Sequence, residues 1–545
     1  PVPYVIPPGI EREINLGTTN LQELNEQSLS LKVNNLMDGD ARVCYKTCDF
    51  DMREFKTLRM FVHEEAVGTN DNIKEGDLTV FMRLGTDFTD NYYEYEIPLT
   101  PTPWYTTTSN PDIIWPDSNE FNITLNVLQN LKMERNIQMR VPGSGVTLST
   151  PYTTSDNGRK VTVVGMPTLS SVKVIMIGLR NPKKSAGTIN DDGMAKSAEI
   201  WVNELRLTDF NEKGGWAATS TVNATLADLG TATMAGKIST PGFGSIEKKI
   251  SERSKETIKE YAIATSLELG KFLPEKSGIK IPMHFDYSHN VSDPQYNPLN
   301  PDLLFDEDID TYASKEERDS VKALGQELTV RKSLNFVNVK KEKTGTSSKS
   351  HIYDVENLDF TYSYTEQYHR NIDIEHDFKK TYKGSIGYTF TNSPKNFTPL
   401  SKVKFFSAKP LKIVKDFNFY LMPKSLTFRT DLDRMYAENK LRNKSKADIL
   451  IDTTYIKSFS WARDYGMKFD LTQNLKADIT ATADARIDEP DGCIDKEDSD
   501  YEWKTDSIME NIKNFGRVTN YDQTLNINYT IPINKISWFN WVTSS

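Results

Sequence analysis

The residues of this chain best equipped for chemistry lie in an acidic stretch, residues 488–500. There Asp488, Glu489, Asp491, Asp495, Glu497, Asp498 and Asp500 offer hard oxygen ligands of the kind calcium takes. Their spacing argues against a dedicated ion site. With Gly492 and Ile494 at the sixth and eighth positions of an EF-hand loop, the first position falls on Ile487, which has no ligand atom. We therefore read a solvated external loop, with Asp488, Asp491, Asp495 and Asp498 as the ligands if it bound calcium. Cys44 and Cys48 are the sole close pair among three cysteines. Their spacing permits a small strained disulfide in an oxidising compartment, and no second pair completes a zinc site. Cys493 stands alone in the acidic loop and reads as incidental. The six histidines, His63, His284, His289, His351, His369 and His376, lack the helical spacing of a metalloprotease. Gly242-Phe243-Gly244-Ser245-Ile246-Glu247 puts Glu247 where the third glycine of a dinucleotide loop belongs, and no parallel βαβ context surrounds it. No catalytic constellation emerges, so the expectation is a protein that is not an enzyme and carries no cofactor.

The elements that would position such residues announce themselves by a period of two. Between 455 and 471, Tyr455, Phe459, Trp461, Tyr465, Met467, Phe469 and Leu471 hold one parity, and Ser458, Ser460, Asp464, Lys468 and Asp470 hold the other. After Thr472-Gln473-Asn474 the pattern restarts, with Leu475, Ala477, Ile479, Ala481, Ala483, Ala485 and Ile487 against Lys476, Asp478, Thr480, Thr482, Asp484 and Arg486. These runs reach the roughly 9–11 residues with which a tilted strand crosses a bilayer, and outlast a usual soluble strand of about 5–6. The signature recurs at 358–365, 382–390 and 525–533, with weaker copies at 218–240, 259–271, 279–288, 328–339 and 413–433, about a dozen strands after residue 215. On a barrel, Tyr388, Phe459, Trp461, Phe469, Trp538 and Trp541 would face lipid, and Thr389, Ser460, Asp464 and Asp470 the lumen. A soluble antiparallel sheet with one solvated face also alternates, and is the competing reading.

Composition narrows the field. A chain of 545 residues holds two or more domains. No apolar run approaches a transmembrane helix, and a mean hydropathy of -0.55 leaves a barrel open, because barrel strands give half their positions to polar groups. A net charge of -10 offers no electrostatic footprint for nucleic acid. The fold class expected is all-β: a lead-in segment over 1–54, a β-sandwich of jelly-roll type over 55–210, and antiparallel transmembrane barrel strands over 211–545. The run from Ile200 to Leu207 looks like the last strand of a carbohydrate-binding jelly roll, so glycan binding competes with a structural cap or docking role. Counting strands from the turn at Asp228 to Gly230, and back from Thr472 to Asn474, puts the sandwich on opposite sides of a membrane. One connection in this strand list must therefore differ from the fold. The chain begins without Met or signal peptide, and reads as an internal piece of something longer.

Several strings carry a resemblance: Val5-Ile6-Pro7-Pro8-Gly9-Ile10-Glu11-Arg12-Glu13, Asn25-Glu26-Gln27-Ser28-Leu29, Asn91-Tyr92-Tyr93-Glu94-Tyr95-Glu96, and Ala198-Glu199-Ile200-Trp201-Val202-Asn203-Glu204-Leu205-Arg206-Leu207-Thr208-Asp209-Phe210. Further on come Gly214-Gly215-Trp216-Ala217-Ala218, Leu269-Gly270-Lys271-Phe272-Leu273-Pro274 and Ala485-Arg486-Ile487-Asp488-Glu489-Pro490-Asp491-Gly492. On these the chain resembles the SprA/Sov family, the outer-membrane translocon of type IX secretion and gliding motility in Bacteroidetes. The resemblance implies part of the wall of a very large single-chain barrel in the outer membrane of a Gram-negative cell, exporting folded proteins by passive conduction with regulated access. It also implies partners: cargo proteins with C-terminal signal domains, a PorV-like barrel, a plug protein, an inner-membrane proton-driven motor and the lipid bilayer. A soluble glycan-binding protein and an outer-membrane nutrient receptor are the alternatives from other classes.

Overall fold

The computed structural model describes residues 2–12, 14–15, 22–23, 26–68, 72–185, 192–249, 252–344, 351–403, 412–444, 449–494 and 496–531. Trp538, Trp541 and Asp495 lie outside the described residues. The chain divides into two units, each discontinuous in sequence. The first takes residues 1–216, 240–256 and 294–325, and the second 217–239, 257–293 and 326–545.

Short apolar strands separated by polar turns build the first unit as a sandwich of two antiparallel sheets. In chain order its strands are β1 (Leu29–Leu36), β2 (Ala41–Phe50), β3 (Phe55–Ala66), β4 (Thr79–Gly85), β5 (Tyr92–Pro98) and β6 (Phe121–Thr124), then helix α1 (Leu125–Arg140), and then β7 (Tyr152–Asp156), β8 (Arg159–Val164), β9 (Val172–Arg180) and β10 (Lys196–Phe210). One sheet runs β1-β10-β3-β6 and the other β2-β9-β4-β5-β8-β7. Between them Leu58, Met60, Val62, Leu84, Tyr93, Ile97, Val163, Leu179 and Ile200 close the core, with Leu128 and Leu131 of α1 packed in. Residues 29–50, expected to lead in, supply β1 and β2. Both are edge strands and β2 has no buried residue, so they show little of the apolar pattern that marks a strand. Cys44 and Cys48 are free thiols on β2. Four residues apart on one strand, their Cα atoms stand about 13 Å apart, beyond the ~7 Å limit of a disulfide. The bridge the spacing permitted does not form.

Among the described residues the second unit is built on one long up-and-down sheet of twelve strands. Eleven follow in order: β11 (Ala217–Thr225), β12 (Gly230–Ser239), β13 (Glu256–Glu268), β14 (Pro282–Pro294), β15 (Glu327–Lys341), β16 (Leu358–Arg370), β17 (Ile374–Thr391), β18 (Ser425–Leu441), β19 (Thr454–Asp470), β20 (Leu475–Arg486) and β21 (Arg517–Tyr529). The twelfth, Ile279–Lys280, pairs beside β15. The weak copy expected over 218–240 is two strands, β11 and β12, closed by a turn at 226–229. At that turn Gly230 has φ 148°, and a Cβ on it would sit 1.9 Å from the Ser266 carbonyl oxygen, so only glycine fits.

Because neighbours alternate in direction, every connection falls at one of two ends. The turns at 226–229 and 471–474 share the turn end, with 269–281, 342–357 and 392–424. The other is the junction end, where the chain passes between units after 216, 239, 256, 293 and 325, and where 371–373, 442–453 and 487–516 also lie. The two turns that gave conflicting topologies therefore agree.

Candidate functional site: the two faces of the long sheet

Antiparallel register fixes which residues share a face, since paired residues point the same way and neighbours along a strand point oppositely. On one face Leu358, Tyr388, Phe428, Tyr465, Ala481 and Gln523 form a single rung across six strands. The next rung toward the turn end is Phe390, Leu426, Met467, Ile479 and Leu525. Rings meet across it, Phe428 to Tyr465 at 5.2 Å between centroids and Tyr364 to Tyr382 at 5.0 Å. Many of these side chains are solvent-exposed: Leu525 is 55% and Ile527 61% accessible. Water gives no return on such a surface, and a large contiguous one marks a contact with something apolar.

The opposite face is mostly polar from β16 to β21, with apolar exceptions such as Met435 and Ile456 toward the junction end. Asp359, Gly387, Arg429, Asp464, Thr482 and Asp522 make one rung, and Thr389, Thr427, Gly466, Thr480 and Thr524 another. Ser460 pairs with Asp433, whose carboxylate takes the Lys383 ammonium at 2.8 Å, and Asp470 pairs with Lys476. The residues expected on opposite sides of a wall thus lie on opposite faces: Tyr388, Phe459, Trp461 and Phe469 on the apolar one, Thr389, Ser460, Asp464 and Asp470 on the polar one.

On β19 two departures from strict alternation, Lys457 and Arg463 on the apolar face, have a structural reason that the strand pattern did not reveal. The connection 487–516 folds over the junction end of that face, carrying helix α2 (Tyr501–Lys513). Phe459, Ile487 and Ile508 form a buried cluster beneath it, with Leu432, Trp461, Ile494 and Ile512 packed around. Lys457 Nζ donates to the Pro490 carbonyl at 2.7 Å, and Arg434 grips Glu489 with two bonds of 2.6 and 2.9 Å. Phe459 is therefore a core residue of this cover, while Phe469 lies beyond it.

The same cover absorbs the acidic stretch. Asp488 takes Arg517 through two bonds of 2.9 and 3.0 Å, Glu489 takes Arg434, and Asp500 takes Lys504 at 2.8 Å. Cys493 donates to Asp498 at 3.1 Å, and that carboxylate together with burial raises its thiol pKa. Among the described residues no three His, Cys, Asp or Glu side chains converge to hold a metal ion. Arginine and lysine supply the positive charge that this loop needs.

The sandwich carries a set of buried polar groups. Glu94 on β5 accepts from Arg83 at 2.6 Å and Arg180 at 3.1 Å, and Arg180 also reaches Glu96 at 2.5 Å, with its guanidinium 4.2 Å from the Phe81 ring. These pairs hold the Glu94 carboxyl below its usual range in spite of burial. On β10, Trp201 lies 4.2 Å from the His63 ring and within aromatic contact of Trp115 and Tyr4, under the segment that contains Val2, Val5 and Ile10. Residues quoted above from the motifs at 91–96 and 198–210 are thus packing and ion-pair residues of the sandwich. A groove of about 760 Å³ opens between β2 and β10, lined by Leu29, Cys44, Phe50, Met60, Ile177 and Leu205 among others.

A sandwich joined in sequence to a long two-faced antiparallel sheet, with no helix among the described residues long and apolar enough to cross a membrane, defines an all-β protein whose chemistry resides in surfaces. Residues 1–309 match the profile of a family described as motility related/secretion protein, more than half of the chain. The chain belongs to this family, the SprA family, which is one of motility and secretion and not of enzymes. No curated protein matches. Among solved structures, a pilus adhesin, SpaC from Lactobacillus rhamnosus GG in an open conformation, aligns at 9% identity and TM-score 0.06, over 77% of this chain and 54% of the adhesin. The chain spans about half the length of that structure, and a score so low carries no argument.

Proposed function

We propose that this chain contributes part of the wall of an outer-membrane barrel through which folded proteins leave the periplasm, the translocon of type IX secretion and gliding motility. The observation that carries this reading is the charge-free rungs of the apolar face backed by the polar rungs of the other. A pore for folded cargo needs a lumen that stays wet and an exterior that dissolves in lipid, and the two faces match those needs. Polar rungs such as Asp359 to Asp522 would line the passage, and no residue is required for catalysis. β11 and β21 end the strand path and do not pair with each other among the described residues. Unpaired edges are not tolerated in lipid, so closing the wall takes further strands. Cargo with C-terminal signal domains, a PorV-like barrel, a plug protein and a proton-driven motor are the partners this role calls for.

The test has two parts. Membranes from cells making the parent protein are washed with alkaline carbonate, and the protein should stay in the pellet and dissolve only in detergent. Deleting its gene should strand secreted proteins in the periplasm. Release by carbonate, or unchanged secretion, would remove the reading.

A further inference from the structure

We propose that residues 487–494 and 496–516 form a lid standing just outside the bilayer against the lipid-facing side of the wall, and that Trp461, Arg463 and Phe515 are the girdle where that side meets the lipid headgroups. This rests on the membrane reading above and adds where the lipid begins.

Three observations converge on that level. The first is what covers the sheet. Lipid cannot satisfy the backbone groups of an irregular segment, so the loop that packs on Phe459 and takes Lys457 and Arg434 belongs beyond the hydrocarbon. The outer acids of α2, Glu502, Asp506 and Glu510, suit water better than a lipid surface.

The second is a boundary of charge on the apolar face. Tyr287, Lys332, Glu366, Lys380, Tyr436 and Lys457 form one rung across six strands, with Lys332 and Glu366 paired at 2.9 Å. Toward the turn end the last charges on β18 and β19 are Arg434, one rung further, and Arg463, three rungs further. A boundary that steps obliquely across rungs is what strands tilted by about 35–45° require. Past the Arg463 rung the uncharged strip covers residues 464–471 on β19 and its turn, 475–483 on β20 and 521–531 at β21. Those lengths, eight, nine and eleven residues by position, approach or reach the ~9–11 residues of a membrane-crossing strand.

The third is the composition of the boundary itself. Trp461 and Phe515 rings stand 5.5 Å apart, and the Arg463 guanidinium lies 5.3 Å from the first and 5.5 Å from the second. The Trp461 indole donates to Thr430 Oγ1 at 2.6 Å, while Phe515 stays 57% and Tyr521 61% exposed. Amphipathic rings with a cation beside them are the side chains that settle at the headgroup level.

The experiment places single nitroxide labels on the full-length protein in zwitterionic phospholipid vesicles, on a cysteine-free background, at Ile527→Cys, Phe515→Cys, Glu510→Cys and Phe459→Cys. Collision rates with oxygen and with a water-soluble nickel chelate are then compared. Position 527 should collide with oxygen and lose nickel access, 510 should show nickel access like an aqueous loop, 515 should fall between them, and 459 should be shielded from both. Oxygen access at 459 equal to that at 527, or loss of nickel access at 510, would overturn the lid. Nickel access at 527 would overturn the membrane reading and the lid with it. Phe515→Cys and Glu510→Cys change exposed positions, so they report even where Phe459→Cys fails to assemble.

Discussion

Two neighbours on β3 show how much a single position is set by which way it points. His63 faces the aromatic cluster with Trp201 and Trp115, its Nδ1 2.7 Å from the Ile114 carbonyl oxygen, and burial pulls its pKa down to about 4. Glu64 faces the sandwich core, its two carboxyl oxygens buried without a hydrogen-bond partner. Burial, with Asp77 adding a little, pushes its pKa up to about 8. Asp77 is itself held by Lys196 at 2.7 Å, so no cation is left over for Glu64 from that pair. Between pH 4.5 and 8 the folded state holds a proton on Glu64 that the unfolded chain releases, so its contribution to stability falls as pH rises. Between pH 4 and 6.5 the unfolded chain protonates His63 and the folded one does not, so that contribution falls as pH drops. We predict that Glu64→Gln removes the alkaline loss, on the order of a few kcal/mol by pH 8. His63→Asn removes the acid one, and urea midpoints followed by tryptophan fluorescence separate the two. Facing decides the second residue-scale prediction as well. Ile479→Arg on the apolar face should cost about 2–4 kcal/mol and lower the assembled protein in outer membranes, whereas Thr480→Arg on the polar face should cost little; equal losses in heat-modifiable protein would contradict the facing.

Elements in this chain are held by a few long-range polar ties as much as by their apolar faces. Asp302, fully buried between β14 and β15 in sequence, accepts from Tyr93 at 2.6 Å, Lys132 at 3.0 Å and the Leu169 amide at 2.5 Å, which fixes the 294–325 segment to α1 and β5 within the sandwich. Asp302→Ala leaves the Lys132 ammonium buried with only the Pro167 carbonyl, and should cost about 3–5 kcal/mol. Limited proteolysis should then cut within 294–325 far faster than in the parent protein. None of this tie was visible beforehand, because a buried Lys and Asp 170 positions apart leave no periodic trace. Strands whose two sides meet different surroundings were legible: β16, β17, β19, β20 and β21 follow the alternation of Tyr362, Tyr388, Met467, Ile479 and Ile527. β1 and β2 were not, since an edge strand needs no apolar side. The cover over Phe459 was hidden for another reason. An aromatic facing lipid and one facing a helix obey the same parity, and only Lys457 and Arg463, out of place among them, hinted at protein in front.

At the scale of the molecule the end strands of the long sheet, β11 and β21, do not pair with each other among the described residues. We predict that these 545 residues, refolded alone into detergent, give no monomeric heat-modifiable barrel; a closed species in which β11 and β21 cross-link through Thr221→Cys and Thr524→Cys would contradict it. The discontinuity of both units has a consequence for how such a chain is made. The sandwich needs Asp302, yet β11 to β14 precede that residue, and β11 to β14 belong to a sheet that has no stable partner set until later strands arrive. When residues 1–216 have emerged from synthesis, the sandwich therefore still lacks the 294–325 segment that neutralises Lys132. The sandwich can close only after residue 325 has emerged, with β11 to β14 already made and β15 to β21 still to come. Until then β11 to β14 and the open sandwich stand exposed together, the regime in which strands aggregate unless they are held. On the outer-membrane reading proposed above, such a chain would need to be held until residue 325 has emerged, and a hairpin that stalled before then would leave the sandwich unfinished behind it.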